Sequence, residues 1–534
     1  MDMVSSETEY KACREIIEYL LKNPTTDRRI INRYKNKISA KYHLNKIPTN
    51  ATVLSHATEE EYEILRPMLQ KRPVRTISGV AIVAVMTKPF PCPHGRCVYC
   101  PGGPQQGVPQ SYTGYEPATM RGLQNEFDPR KQVENRLRQL SEIGHNIEKT
   151  ELIIMGGTFP ATPRKYQEWF VTECLNGMTG KNATTIEEAQ KYAETSKIRN
   201  VAITIETRPD YSKQKHIDFM LHLGATRVEI GVQSVYEEQL LLVKRGHTVK
   251  DTIEATRLLK DSGLKVTYHI MPGLPGYTYE KDLEMFKIIF SNPDFMPDMM
   301  KIYPTLVIKG TELYDMWMRG EYEPYTNEEI VNLITDAFQY FPKWLRIQRM
   351  QRDIPAYKID AGPNKGNLRE LIFSNLAKRG RKCHTLRCRE IGHKIIRGEI
   401  PVQDEKPILR VTEYDASHGI EYFMEYVFES IDGVIGYLRL RDPSELSQRK
   451  EIANYDSMII RELKVVGESI PIGKHDMKGW QHKGIGRKLI EHAEEIAIQK
   501  GKEKMLIMSA IGTREYYRKF GYKRDGPYMS KHLR

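Results

Sequence analysis

At 534 residues the chain is long enough for three or more domains of roughly 100–200 residues each. Apolar residues make up 40% of it, enough for real cores, yet there is no run of the 18 or so apolar residues that a spanning helix needs. The 81 Lys and Arg against 69 Asp and Glu, +12 in all, favour polyanionic partners, because each cation placed on a phosphate releases a counterion. The opening MDMVSSETEYKACREII has acids and no apolar signal core, so the protein is expected in the cytoplasm, with no membrane partner. Thiols stay reduced there, so the seven cysteines, five of them in two tight clusters, are expected to hold metal or pack as free thiols.

Residues 1–75 read as a basic helical arm. Glu9 to Leu21 repeats apolar side chains at helical spacing (Tyr10, Ile16, Ile17, Leu20, Leu21). From Lys22 to Lys46, ends included, there are eight Lys or Arg and one acid, Asp27. Arg28, Arg29, Arg33, Lys35 and Lys37, interleaved with tyrosine, suit phosphate contacts and base stacking; a solvated helix face is the alternative.

From 76 to 370 short apolar runs alternate with helical patterns. Strands are expected at Val80–Val85, Leu152–Met155, Ala202–Glu206, Thr226–Gly231, Lys265–Ile270 and Met300–Tyr303, with helices such as Asp251–Ser262 and Lys281–Ser291 between them. This alternation predicts an α/β domain, a full or partial (β/α) barrel with its site at the carboxyl ends of the strands. Residues 371–405 read as a linker carrying Cys383 and Cys388. From 406 to 534 longer strands (Tyr422–Ser430, Val434–Leu440, Met458–Val466), a helix at Gly486–Gln499 and a strand at Lys504–Met508 predict an α+β domain.

The strongest chemical signal is PCPHGRCVYCPGGP, a Pro- and Gly-rich loop after the first strand. Cys92, Cys97 and Cys100 stand in C-x4-C-x2-C spacing. A four-iron cluster normally takes four thiolates, so three leave one iron open to a ligand. A zinc site completed by His94 is the alternative. The triplet, with an aromatic before its last cysteine, resembles radical SAM enzymes, although that family usually has three residues in the first gap. The resemblance implies a 4Fe-4S cluster whose open iron holds S-adenosylmethionine. MGGTF, with Gly156 and Gly157, is similar to the family's glycine pair at the methionine end of that cofactor. ITIETRPD places Glu206 and Arg208, and RVEIGVQS places Gln233 and Ser234, at further strand ends, where polar groups suit a ribose or carboxylate.

The second signal is GWQHKGIGRKLIEHAEEIA. Glycines that open a helix expose backbone N–H groups, and the helix dipole favours an anion there. The segment resembles GNAT acetyltransferases. That resemblance places the pyrophosphate of acetyl-CoA at Gln481, Gly484, Ile485, Gly486 and Arg487, and the pantetheine arm along Glu462, Leu463, Lys464 and Val465. It puts Tyr516 and Tyr517 near the thioester.

A radical SAM core followed by a GNAT-like domain resembles the catalytic subunit of Elongator and its archaeal and bacterial relatives. CVYCPGGP, QSYTGYEPATMR, KRGHTVKDT, KIYPTLVIKGTELY, WQHKGIG and TREYYRKFGY carry the match. It implies an acyltransferase of radical type that carboxymethylates C5 of the wobble uridine, with the anticodon loop of tRNA as partner. Further subunits or a homodimer stay open. By position it also implies that Lys149 contacts acetyl-CoA. The cations of QRDIPAYKIDAGPNKGNLRE could line the tRNA channel beside the arm. In RKCHTLRCREIGH, Cys383 and Cys388 with His384 or His393 have zinc-ligand types, buried free thiols being the rival; Cys13 and Cys174 are expected simply to pack. A rival function is a protein lysine N-acetyltransferase that uses the C-terminal domain alone, with Glu462 as general base.

Overall fold

The computed structural model describes residues 2–44, 46–69, 79–466 and 484–533. Gln481 therefore lies outside the described residues.

The N-terminal segment forms four helices, Asp2–Lys22, Arg28–Lys41, Asn50–Ser55 and Glu59–Leu69. They bury a core of their own, with Cys13, Ile16, Ile17, Leu20, Ile31, Ile38, Leu54 and Leu65 at its centre. Cys13 is a packed thiol. Asp27 caps the basic helix by accepting from the Arg29 amide at 2.8 Å, so the lone acid of that stretch fixes its start.

Seven strands then form one parallel sheet in sequence order: β1 (Ala81–Met86), β2 (Lys149–Met155), β3 (Arg199–Thr207), β4 (Arg227–Gln233), β5 (Lys265–Ile270), β6 (Met299–Ile302) and β7 (Arg346–Arg349). Helices cross between them and are stopped and started by local chemistry. Thr248 and Asp251 make a capping box for Val249–Asp261, and Thr326 and Glu329 one for Asn327–Ala337. Every residue of β4 is buried, although it reads RVEIGVQ. Its apolar residues join the helix-covered core, and its charged ones, Arg227 and Glu229, line the hollow inside the curved sheet.

Residues 371–405 are more than a linker. Helices Leu368–Lys378, Leu386–Arg389 and Ile391–Ile396 occupy this stretch, and Glu390 bridges to Val434 of the next sheet. That sheet holds β8 (Ile408–Ala416), β9 (Gly419–Phe428), β10 (Gly433–Asp442), β11 (Ser457–Val465), β12 (Lys504–Ile507), β13 (Lys523–Asp525) and β14 (Tyr528–His532), in the order 13-14-12-11-10-9-8. All neighbours run antiparallel except β11 and β12. The helix Ile485–Gln499 packs against β10 and β11.

The two sheets are joined by buried charge. Arg461 reaches from β11 to Asp298 at 2.9 and 2.5 Å, to Glu421 at 2.8 Å and to the Leu264 carbonyl at 2.8 Å. Arg441 pairs with Asp261 at 2.7 Å and with Glu421 at 3.0 Å. Lys260 sits 3.5 Å from Asp298 and 3.6 Å from Glu421. No helix among the described residues is long and apolar enough to cross a membrane.

Candidate active site

Two cavities occupy the hollow of the parallel sheet. The smaller, about 730 Å³, lies at the carboxyl ends of the strands and is lined by Cys92, Cys97 and Cys100. The larger, about 1440 Å³, runs beneath it, between the inward faces of β1 to β7 and the second domain. Ile82, Ala84, Met155 and Arg349 line both.

In the smaller cavity the cysteine loop is held by polar contacts at each sulfur. Gln110 Nε2 lies 2.9 Å from Cys100 Sγ, His94 Nε2 3.1 Å from Cys97 Sγ, and Thr158 Oγ1 3.6 Å from Cys92 Sγ. The buried Arg245 guanidinium stands 3.8 Å from Cys97 Sγ and donates to the Gly231 carbonyl at 2.9 Å. Burial pushes the Cys92 and Cys100 thiols up, so their deprotonation awaits a cation. Four thiolate or imidazole donors around one zinc would place sulfurs about 3.8 Å apart. These donors do not gather within 4.8 Å of one another, the separation that does collect Glu206, Glu229 and His269 among the described residues. The wider spacing of three thiols around one cavity fits a cluster better than a single ion. Buried atoms without partners face the same space: Tyr99 Oη, Arg208 Nη1, Gln233 Oε1 and His94 Nδ1. Such groups suit a polar ligand.

Gly156 and Gly157 end β2 with φ of +129° and +71°. A Cβ on Gly156 would collide with Thr87 Oγ1, and one on Gly157 would sit 3.3 Å from Gln110 Cβ and 3.9 Å from Cys92 Sγ. Glycine there lets the backbone approach the cluster loop. Gln233 also has a positive φ, +69°, and turns its amide into the cavity. Ser234 instead donates to Gln239 at 2.5 Å and caps its own turn.

Between the cavities lies a charged partition. Lys301 bonds Glu206 at 3.1 Å and also contacts Glu229; Glu229 accepts from His269 at 2.8 Å, and Tyr112 donates to Glu206 at 2.9 Å. Burial opposes the charge on Glu229, but Lys301, the His269 hydrogen bond and Arg227 outweigh it and hold the carboxyl well below its usual range. The lysine ammonium already fills the space among these carboxylates, so the group reads as an ion-pair cluster.

The larger cavity has the features expected for an acyl carrier. Pairing of β11 with β12 stops at Ile460 and Ile507, so Glu462 to Val465 run on without that neighbour. Tyr516 and Tyr517 close the cavity from the helix Arg514–Arg518, their rings 5.3 Å apart. Burial pushes the Tyr516 hydroxyl up to about 12. A Cβ on Gly486 would lie 2.6 Å from Tyr516 Oη, so a larger residue where the long helix opens would push the Tyr516 ring aside. Gly484, φ +79°, is its N-cap, and Ile485 lines the wall. Arg487 lies at the rim, exposed and paired with Glu491 at 2.7 Å. Lys149 lines the cavity, and burial pushes its ammonium down.

Of the five basic residues predicted for RNA, Arg28, Arg29, Arg33 and Lys37 are exposed, and Arg28 also lines the larger cavity. Lys35 is the exception: it is buried and donates to Asn50 Oδ1 at 2.8 Å, so it holds two helices together. The zinc expectation finds no matching geometry. Cys383, Cys388 and His393 do not come within 4.8 Å as a set. His384 turns its ring onto the Phe341 carbonyl. Burial, then Arg387 and Arg346, push the His393 imidazole down to about 3, surroundings that repel a dication. Cys174 is fully buried in the core. Sequence reasoning missed the roles of Arg245, Gln110, Tyr112, Lys301 and His269. Arg245, Gln110, Tyr112 and Lys301 stand within stretches matched to the family, but no local spacing marks any of the five as facing the thiols or each other.

The fold and these cavities define a radical SAM half-barrel carrying a GNAT-like domain. Family models agree: the Radical SAM superfamily matches residues 89–289, the Radical SAM C-terminal domain 297–378, the GNAT acetyltransferase domain 477–532 and the ELP3 N-terminal domain 9–77. The chain is 53% identical to a tRNA uridine(34) acetyltransferase of Methanocaldococcus jannaschii, over 99% of this chain and 100% of that one. It is 43% identical to Elongator complex protein 3 of Saccharomyces cerevisiae, over 96% and 94% of the two chains. The solved structure of Methanocaldococcus infernus Elp3 lacking its first 46 residues superposes with a TM-score of 0.76 at 50% identity, covering 86% of this chain and all of that one. The chain belongs to the family of Elongator complex protein 3 and the archaeal tRNA uridine(34) acetyltransferases.

Proposed function

We propose that the chain modifies the wobble uridine of tRNA at C5, using the two-carbon unit of acetyl-CoA to form 5-carboxymethyluridine. The observation that carries this reading is the meeting of the two cavities inside one half-barrel, with Ile82, Ala84, Met155 and Arg349 lining both. A cluster at Cys92, Cys97 and Cys100 with S-adenosylmethionine supplies a carbon radical, the means of activating a methyl whose C–H is too weakly acidic for a base. The partition of Glu206, Lys301, Glu229 and His269 orients polar groups of the substrates at the meeting point. Ile82, Ala84 and Met155 make up the apolar part of that meeting point and Arg349 its charged part.

The arm supports the same reading. Arg28 stands at the larger cavity while Arg29, Arg33 and Lys37 face outward, a path along which RNA phosphates could track. The base must leave its stack to enter, which costs least in a single-stranded loop such as the anticodon. The lysine acetyltransferase alternative asks Glu462 to act as a base. Burial opposes its charge, but Lys265 and Arg439 prevail and hold the carboxyl low; it accepts from Arg439 at 3.0 Å and from Tyr437 at 3.2 Å, a poor state for taking a proton.

The test is to incubate anaerobically reconstituted protein with tRNA, acetyl-CoA, S-adenosylmethionine and a reductant, then to analyse the digested nucleosides. The expected product is 5-carboxymethyluridine, lost in Cys97→Ala while acetyl-CoA binding persists. Product from Cys97→Ala refutes the mechanism.

A further inference from the structure

Lys464 enters the larger cavity from β11, two residues beyond Glu462, on the stretch that has outrun its partner strand. Its ammonium makes no hydrogen bond or ion pair among the described residues. That sets the half-buried Lys464 apart from Lys301 and Lys260, while Lys265 of β5, in the same cavity, shares the unpaired state. Lys301 contacts two carboxylates and Lys260 lies near two. Around Lys464 stand Arg346 of β7, Arg227 of β4, Glu151 of β2 and Glu462 of its own strand. Both acids already serve other cations: Glu151 pairs with Arg227 at 2.5 Å, and Glu462 with Arg439 at 3.0 Å. Opposite it on β10, Tyr437 donates its hydroxyl to Glu462. Burial and then Arg346 push the Lys464 amine down to about 7, so it is populated in both protonation states at neutral pH. An unpaired lysine of this kind inside a cavity is equipped to move protons.

We propose that Lys464 is the general base and acid of thioester cleavage in the larger cavity. The proposal rests on the reading of that cavity as the acyl-CoA site. Neutral Lys464 takes a proton from water as its oxygen bonds to the thioester carbonyl carbon. The carbon–sulfur bond then breaks, and the Lys464 ammonium returns that proton to the departing sulfur. The carboxylic acid formed releases its own proton to solvent, and no electrons change hands. In the tRNA reaction this step frees the carboxymethyl group from CoA. It assigns the water-activating role to a residue of the acyl-carrier strand rather than to Glu462, whose carboxylate is committed to Arg439.

The test uses the full chain with acetyl-CoA and tRNA, without reductant or S-adenosylmethionine, and reads released CoA with a thiol-reactive dye. Release by the parent protein is expected to rise along one pH limb centred at about 7. Lys464→Arg and Lys464→Met should lose that limb and fall about 100-fold, the lower end of what general acid–base catalysis contributes. Both variants should still bind acetyl-CoA by calorimetry. Competitive amine labelling of the resting protein, read by mass spectrometry, should titrate Lys464 in the same pH range. The proposal is overturned by unchanged thiol release in the variants, by their loss of acetyl-CoA binding, by no release above buffer in the parent, by acetyl-lysine building up at Lys464, or by labelling in the ordinary lysine range. Since no radical step is involved, a chain that shows this limb yet never modifies uridine would refute the tRNA reading and not the Lys464 assignment.

Discussion

Arg461→Met tests how firmly the acyl-carrier strand is fixed to the barrel. Arg461 is fully buried, as are Asp298 and, nearly, Glu421. Among the described residues five cations (Arg257, Lys260, Arg439, Arg441, Arg461) face four acids (Asp261, Asp298, Glu421, Glu462) in this cluster, Arg257 at its edge. Methionine fills similar volume but takes from Asp298 and Glu421 their nearest cation, and it also orphans the Leu264 carbonyl. Breaking a buried pair from one side typically costs about 3–5 kcal/mol. Asp298 keeps Lys260 at 3.5 Å and Arg439 at 3.7 Å, and Glu421 keeps Arg441 at 3.0 Å, so the lower end, about 3 kcal/mol, is expected. Urea unfolding should show this loss in the transition that includes the two sheets. Hydrogen exchange should quicken along β11 and the helix Val249–Asp261 but not in the N-terminal helices. Asp298→Asn added to Arg461→Met should recover part of the loss, because the two sites share one bond network. A single variant within about 0.5 kcal/mol of the parent, the range of ordinary surface changes, would refute the account of the interface.

Reversing charge at Arg28, Arg29 and Arg33 should weaken tRNA binding and lower its salt slope by about 0.7–0.9 for each phosphate no longer neutralised. Lys35→Met should instead leave the slope alone and destabilise the helical domain by about 1–3 kcal/mol, through the orphaned Asn50 carbonyl oxygen, in thermal unfolding. Gly156→Ala, forced against Thr87 with φ at +129°, should lower iron content in anaerobically reconstituted protein. Burial pushes the Asp282 carboxyl up to about 7, so its protonated form contributes stability that is full below its unfolded value near 3.8 and is lost as pH rises through 7. The stability of the parent relative to Asp282→Asn should therefore decline from about pH 4 to about pH 7 in denaturant titrations; a flat difference would contradict this.

Much of the fold was legible where local pattern and tertiary role agree. The parallel strands announced themselves as apolar runs, and β2, β4 and β5 fall within a few residues of their expected places. β7 did not, because RIQR puts only Ile347 into the apolar core while Arg346, Gln348 and Arg349 face the cavity. β8 was missed for a related reason: it is an edge strand, largely exposed, with ILRVTEYDA broken by charge. The basic arm looked like a charged surface, yet buried residues at helical spacing give it a core; the same spacing puts Lys35 on the inner face. The three thiols and the glycine-rich helix start were readable because their chemistry demands close spacing. The partition around Lys301 was not, since its members come from β3, β4, β5 and β6 and meet only when the sheet curls. The same holds for Lys464, whose charged surroundings come from β2, β4 and β7 as well as its own strand.

The central claim is that Cys92, Cys97 and Cys100 hold an iron–sulfur cluster with one iron open to a ligand. Iron and sulfide analysis with electron paramagnetic resonance on protein purified without oxygen tests it most directly. The account predicts about four irons and four sulfides per chain, with a reduced-cluster signal that changes when S-adenosylmethionine is added. Protein free of iron and sulfide that still converts uridine in tRNA would contradict it.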